Sequence, residues 1–392
     1  MTASPQIIAG GLGWAQRGRG RSYDLAANRF PRHTDLVTRI EAHHVIRGLV
    51  PGLWLDIGAG TGRLARPLAA RRGASIVAFD PSFDMLFHGM GERPPEQRDW
   101  PRLVAGLSSD SLPFRDGVFD GAYCFGVLNR FGNWRRIVAP VHAVLKPGAR
   151  FVFNNRCLDA IRLSGDHRPP DYGYIEQASF QETLASLGLT VVTAMPAHLL
   201  SPGFLLGWWR KERQLGGEHH AVANFALRQW LEGTLARLGD LEDWIRLEMA
   251  LAECLPLESA MQTVFVTLPS NGGSQDVERW TAPERGRDCA ARLESILRGS
   301  DAAPLMANES CLRLLCLLAP VLDHAAGEKD FLVRVLPDRR HAIGSHVNEI
   351  MACMTPSFAL RMRYEALVQG RTFGQRARSA VVRFQDLWAG EK

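Results

Sequence analysis

The chain has 392 residues, of which 46% are hydrophobic and 22% charged, and a formal net charge of +5. That length is too great for one small core and suits two domains, and the composition excludes a disordered or fibrous chain. The charge is mild and forms no dense basic block, so it gives no sign of nucleic-acid binding. Seven cysteines are scattered without a C-x-x-C pair, which points to reduced thiols in a cytoplasmic protein. Basic residues are nearly all arginine, a bias that suggests a GC-rich bacterial gene. Residues 1–21 lack a basic start followed by an apolar run and are expected to be a flexible arm, not a signal peptide. The most apolar stretches, 199–209 and 312–322, contain Pro202 and Pro320 and fall short of the roughly 18 residues that suggest a membrane span.

In chain order, residues 22–49 read as helix broken at Pro31. A short apolar run from Leu53 to Ile57 reads as a strand. It ends in Gly58-Ala59-Gly60-Thr61-Gly62, after which 63–72 has helical spacing. Residues 75–79 form a second strand run ending at Asp80; 103–105 is a weaker third, and 119–125 a fourth. A helix over 136–145, stopped by Pro147-Gly148, leads to a fifth strand at 150–153. Residues 179–187 read as helix closed by Gly188, followed by a sixth strand at 190–193 and a seventh at 262–268. Strands alternating with helices at this spacing predict a mostly parallel α/β sheet covered on both faces. A helical insertion of about 203–258 separates the last two strands. It carries Trp208, Trp209, Trp230 and Trp244. It is too long for an ordinary loop, and so reads as a lid or an extra layer. Residues 270–282 read as a linker. Beyond it, amphipathic helices at 283–297, 309–325, 340–353, 357–368 and 377–388 predict an all-α C-terminal domain over 283–392.

The glycine run sits where a strand turns into a helix. Glycine is needed there because the chain turns sharply and a ligand must approach bare backbone. Asp80 follows at the end of the second strand, where a carboxylate can accept both hydroxyls of a ribose. Together they point to one nucleoside site. A nicotinamide dehydrogenase uses a similar pair. Here, however, the later glycine of the dinucleotide fingerprint is missing. Asp56 also stands before the first glycine, where it would repel a pyrophosphate but attract an ammonium group.

At this point the chain resembles the class I methyltransferases, specifically the methyltransferase type 11 group. Leu55-Asp56-Ile57-Gly58-Ala59-Gly60-Thr61-Gly62 is similar to the family's first motif. Asp80-Pro81-Ser82-Phe83-Asp84-Met85-Leu86 is similar to its D-x-S-x-x-M-L, and Leu112-Pro113-Phe114-Arg115-Asp116-Gly117-Val118-Phe119-Asp120 to its L-P-F-x-D-x-x-F-D. Leu145-Lys146-Pro147-Gly148 resembles its L-K-P-G-G, with Ala149 at the last position. The resemblance implies a Rossmann-like sheet of seven strands, the last antiparallel, over residues 22–269. It implies S-adenosyl-L-methionine as cofactor and S-adenosyl-L-homocysteine as product. Asp56, Gly58, Ala59, Gly60, Gly62, Asp80, Pro81 and Phe125 are the expected cofactor contacts. The family's adenine-binding acid is replaced here by Ser108 or Ser109. Tyr23-Asp24 resembles the family's N-terminal Y-D, which makes Tyr23 a candidate contact.

No catalytic histidine carries over, because the run after strand four is Gly126-Val127-Leu128-Asn129-Arg130. His198, at the end of strand six, and His219-His220, in the insertion, are the remaining general-base candidates. His43-His44 read as structural. Trp208 and Trp209 read either as walls of an acceptor pocket or as core. No metal-ligand spacing occurs. The expected function is methyl transfer to an O, N or C nucleophile of a small metabolite in bacterial secondary metabolism. Four alternatives remain open. The acceptor could be a peptide, a carrier-bound intermediate or RNA docked by the C-terminal helices. The cofactor could serve other chemistry. The chain could bind the cofactor without catalysis, or be a nicotinamide oxidoreductase. The C-terminal helices are also the expected surface for a homodimer or a protein partner.

Overall fold

The structure, a computed structural model, describes residues 18–71, 73–91, 101–106, 112–128, 134–155, 177–212, 220–268 and 288–355. Helices α1 (Arg19–Ala27) and α2 (Pro31–Gly48) precede β1 (Gly52–Ile57). Then follow α3 (Ala65–Ala69), β2 (Ala74–Asp80), α4 (Phe83–Met90), β3 (Arg102–Ala105) and β4 (Phe119–Cys124). Two short helices, α5 (Arg135–Val138) and α6 (Val141–Val144), lead into β5 (Leu145–Asn155). Helix α7 (Gln177–Ser186) and β6 (Thr190–Ala197) come next. The insertion supplies α8 (Pro202–Glu212), α9 (His220–Arg237) and α10 (Leu241–Cys254), and β7 (Met261–Thr267) closes the sheet. The C-terminal helices are α11 (Cys289–Arg298), α12 (Ala303–Ala307), α13 (Glu309–Leu317), α14 (Ala319–Ala326), α15 (Phe331–Val335) and α16 (Arg340–Met354).

The strands are ordered β3-β2-β1-β4-β5-β7-β6. All neighbours are parallel except β7, which runs antiparallel to β5 and β6. This is the expected seven-stranded α/β sheet. Its strand order reverses at β1, where β1 lies between β2 and β4, so ligands are expected at the carboxyl ends of those strands.

Two segments differ from the sequence expectation. Residues 61–64 are turns, and the following helix is only Ala65–Ala69, because three left-handed glycines occupy the segment that leads into it. The helix expected over 136–145 is split in two at Pro140, and β5 runs through Pro147-Gly148 instead of starting after them. Proline lacks the N–H for a continuous helix. Gly148, with φ of 76°, takes the irregularity at the start of the strand pair.

Three apolar cores divide the molecule. One face of the sheet packs Phe151, Phe153, Phe119 and Leu55 against α5, α6 and Leu184 of α7. The other packs Trp54, Tyr123 and Val152 against Val45 of α2 and residues of α3 and α4. The third core contains no strand. It joins the insertion helices to the C-terminal helices through Leu227, Leu231, Trp244, Leu293, Leu312 and Phe331, and it takes in Leu36 and Ile40 of α2. The expected linker at 270–282 lies outside the described residues, as do the helices expected at 357–368 and 377–388. On either side of the linker the chain contributes to one continuous core. The Trp209 indole donates to the Leu317 carbonyl at 2.9 Å, and Trp208 is buried against the His324 ring. Both are core residues of this layer. Among the described residues, no helix is long and apolar enough to cross a membrane.

Two glycines make opposite predictions. A Cβ on Gly121 of β4 would lie 2.5 Å from the Trp54 ring, which lies against the strand there. Gly121→Ala is therefore expected to cost about 1–3 kcal/mol by overpacking. Gly233, exposed on α9, has nothing within 4 Å of an added Cβ, so Gly233→Ala is expected to add about 0.4–1 kcal/mol. Urea unfolding of both variants tests the pair.

Candidate functional site

The turn after β1 is built from hydrogen bonds that leave little choice of residue. Gly58 and Ala59 both donate their N–H to the Phe79 carbonyl of β2, at 2.8 and 3.1 Å, and Gly62 donates to the Ala59 carbonyl at 2.9 Å. Gly58, Gly60 and Gly62 have φ of 75°, 55° and 77°, a region that costs little only for glycine. Their surroundings differ. A Cβ on Gly58 would strike Val127 at 2.3 Å, and one on Gly62 would strike the Met90 sulfur at 2.1 Å. At Gly60 it would meet only the tip of Met85, at 3.4 Å. Two of the glycines are therefore closed over by protein, and Gly60 presents backbone to open space.

Asp80 ties this turn to the end of β2. One carboxylate oxygen accepts from the Gly60 N–H and the other from the Ser82 N–H, both at 2.8 Å. Each oxygen retains accepting capacity. Ser82 caps α4 by accepting from the Met85 N–H. Burial raises the Asp80 pKa against the opposing pull of these N–H groups.

Asp56 ends β1 on the face covered by α2. Its Oδ2 is buried and has no hydrogen-bond partner. The Tyr123 hydroxyl of β4 lies beside the carboxylate but is not in full hydrogen-bond alignment. Burial pushes the Asp56 pKa to about 8; Tyr123 opposes this, and the Asp80 charge adds to it.

Next to Asp56 is a cluster that patterning did not reveal. Glu41 of α2 is 2% exposed. It accepts from the Arg63 guanidinium and, at 3.2 Å, from the Asn154 amide of β5, and it lies 3.1 Å from His198 Nε2. Arg63 also donates to Thr38 at 2.9 Å and to the Tyr23 hydroxyl. Asn154 accepts from the Gly126 N–H at 2.7 Å and so fixes the loop after β4. Burial alone would raise the Glu41 pKa, but Arg63 and His198 bring it below the ordinary value. His44, one helical turn on, is driven down to about 3 by burial and by the nearby His198 and Arg47.

The structure thus brings Asp56, Gly58, Ala59, Gly60, Gly62, Asp80 and Pro81 to one turn, with Phe125 at the end of β4 buried on the α2 side of the sheet. Tyr23 joins through Arg63, and His198 through Glu41. Ser108, Ser109 and His219 lie outside the described residues, and of His220 only the backbone is described. Glu41, Arg63 and Asn154 escaped the sequence reading. Their only local signal was an acid on the apolar stripe of α2.

The other motif blocks have structural roles. Lys146 reaches Asp120 at 2.6 Å, and Asp120 accepts from the Leu53 N–H at 2.8 Å. This clasp binds the starts of β1, β4 and β5, at the opposite end of the strands from the glycine turn. Phe114 packs edge-on to Phe79 and Phe119.

Two variants follow from this geometry. An unfolded Asp56 ionises near 3.8, while the folded one holds its proton to about 8. The folded state therefore binds the extra proton between those values, and stability falls as pH rises through that window. Asp56→Asn is expected to raise the melting temperature of the ligand-free chain at pH 8 and to leave it unchanged near pH 3. Glu41→Ala leaves the largely buried Arg63 unpaired and is expected to cost about 3–5 kcal/mol in urea unfolding.

A family model described as "Methyltransferase domain" matches residues 55–153. The malonyl-[acyl-carrier protein] O-methyltransferase of Geobacter sulfurreducens is 37% identical over 109 residues, 27% of this chain and 39% of that protein. The demethylmenaquinone methyltransferase of Thermus thermophilus is 30% identical over 171 residues, 42% of this chain and 71% of that protein. The chain spans about two fifths (39% and 40%) of the length of the first two curated relatives it matches. A methyltransferase solved with its Haloferax volcanii activator has a TM-score of 0.42 and 17% identity, over 64% of this chain and 97% of that one. Identity that extends over most of the Thermus protein, on a chain whose glycine turn is intact, means that this protein belongs to the class I S-adenosylmethionine-dependent methyltransferases.

Proposed function

We propose that the chain transfers a methyl group from S-adenosylmethionine to an O, N or C nucleophile of a small metabolite, in bacterial secondary metabolism. The observation that carries the cofactor site is the orphaned, buried Oδ2 of Asp56 beside a glycine whose Cβ position is open. An uncompensated carboxylate oxygen in an apolar site calls for a cation. The ammonium of a methionine moiety meets that need, and a pyrophosphate would not. On this reading Asp56 holds the ammonium and Asp80 accepts the ribose hydroxyls. Gly58, Ala59, Gly60, Gly62, Pro81 and Phe125 form the walls. The cofactor supplies a methyl group already activated by its sulfonium, so what remains for the protein is positioning, worth roughly 7–11 kcal/mol of barrier in well-oriented cases. The helical layer over α2 would enclose the acceptor and exclude water.

The small-molecule acceptor is supported by the demethylmenaquinone methyltransferase among the relatives. A second reading, a carrier-bound acceptor docked on the C-terminal helices, is supported by the relative named for malonyl-[acyl-carrier protein]. Cell extract of the source organism, incubated with S-adenosylmethionine tritiated in its methyl group, separates the two. Label in the small-molecule fraction, absent with Gly60→Arg, is the expected result. Label in protein favours the second reading, and no label in any fraction refutes both.

Cofactor binding should also carry a proton signature. With Asp56 protonated up to about pH 8, binding at pH 7 must ionise it. Calorimetry of S-adenosylhomocysteine binding in buffers of different ionisation enthalpy is expected to show proton release near pH 7, with affinity rising towards pH 8. Asp56→Asn should abolish that release and weaken binding by more than tenfold.

A further inference from the structure

We infer that Cys254 and Cys289 form a dithiol that a peroxide converts to a disulfide, and that this bond staples the last helix of the insertion to the first of the C-terminal helices. The inference stands apart from the methyl-transfer reading and uses none of the residues assigned to the cofactor.

Geometry carries it. Cys254 is the last residue of α10, and Cys289, 35 positions further on, is the first of α11. The Cys289 thiol donates to the Cys254 carbonyl at 3.1 Å. A contact of that kind brings two Cα atoms to within about 7 Å, the reach of a disulfide. The helices behind the thiols already share a core: Leu251 and Cys254 of α10 pack with Leu293 of α11, and Cys289 lies against them. Closing the bond therefore asks for rotation of two side chains on a fixed scaffold. Strand β7 lies between the two cysteines in sequence, so no local spacing announces the pair.

The surroundings of the thiols point the same way. Burial pushes Cys311 and Cys316 up to about 12 and Cys353 to about 11, and it holds Cys124 well above its ordinary value. Burial also raises Cys254 and Cys289, but less, and the Arg292 guanidinium draws both back towards the thiolate. Arg292 stands three residues after Cys289, which places the two on one face of α11. Of the pair, Cys254 is 6% exposed and Cys289 only partly buried, so Cys289 is the thiol an oxidant reaches first.

The Cys289 thiolate attacks one oxygen of the peroxide. The O–O bond breaks, and the departing oxygen takes up a proton and leaves as water. Cys289 is left as a sulfenic acid. The Cys254 sulfur then attacks the Cys289 sulfur, the S–O bond breaks, and a second water carries off the Cys254 proton. Two thiols have lost two electrons, and one hydrogen peroxide has become two waters. The new bond ties α10 to α11, whose covalent connection otherwise runs through β7. Since Glu248 of α10 also accepts the Leu199 N–H just after β6, at 2.8 Å, the end of the insertion is then held from both sides.

The test uses the full chain as wild type, Cys254→Ser, Cys289→Ser and the double variant. Each is treated with hydrogen peroxide at pH 8, with and without urea. Disulfides are mapped by mass spectrometry of peptides digested without reductant, and sulfenic acid is trapped with dimedone. The folded wild type is expected to yield a peptide joining Cys254 to Cys289, formed roughly tenfold faster than oxidation at any other cysteine and reversed by dithiothreitol. Its thermal midpoint should rise by about 5 °C over that of the reduced chain, while the treated double variant shows no rise. Cys254→Ser should accumulate the dimedone adduct on Cys289. A folded chain that forms no such peptide overturns the inference, as does a crosslink from either cysteine to another. So does a joined peptide that forms as fast in urea, because the fold would then play no part in the pairing. A fully crosslinked sample with an unchanged midpoint overturns the staple, and Cys254→Ser without an adduct on Cys289 overturns the order of the steps.

Discussion

A carboxylate inside an apolar interior must be met by charge or hydrogen bonds, and Glu41 imposes that requirement on three separate parts of the chain. Helix α2 runs between two apolar cores, giving Leu36 and Ile40 to one and Val45 to the other. Glu41 falls between them. Its partners come from the glycine turn, from the end of β5 and from the end of β6. Desolvating such a charge costs several kcal/mol, which only good geometry repays. The cluster therefore restricts where α2, the turn and the start of the insertion can sit relative to one another. The nucleoside turn and the helical layer are not independent pieces that happen to touch.

The glycine turn illustrates the same economy at a smaller scale. Val127 and Met90 fill the space that side chains at Gly58 and Gly62 would need, and α4 lies so close that a Cβ on Gly89 would run into the Thr61 backbone. The turn is clamped from below and from the side. What it leaves open is one backbone unit at Gly60 and two carboxyl groups, Asp56 and Asp80, whose pKa values burial raises, that of Asp56 to about 8. A site built this way is poised to gain from a ligand carrying a cation and hydroxyl donors.

Much of the sheet was legible because buried strands are short apolar runs that end in recognisable turns. Strand positions, the long insertion and the acids after β1 and β2 all follow from local patterning. Pro140 and the Pro147-Gly148 pair were misjudged, because a proline's effect depends on whether the chain is already committed to helix or strand. The polar cluster was hidden for a different reason. Glu41 and His198 are 157 positions apart, and a single glutamate on an amphipathic helix reads as solvated until the fold buries it. The expectation of a separate C-terminal domain rested on a glycine-rich stretch. Composition can mark a loop there, but it cannot show that the helices on either side share a core.

The N-terminus of α2 has no side-chain cap of its own. Glu232 of α9 takes that place, accepting the N–H groups of Arg32 and His33 at 2.9 and 3.0 Å. A helix start leaves several N–H groups without partners and favours a nearby negative charge, and here both needs are met from 199 and 200 residues away in sequence. During synthesis, α2 emerges long before the residue that finishes its first turn. The first turn of α2 is thereby completed by a residue from the middle of the chain, and the covering helix depends on the insertion for one of its ends as well as for its packing.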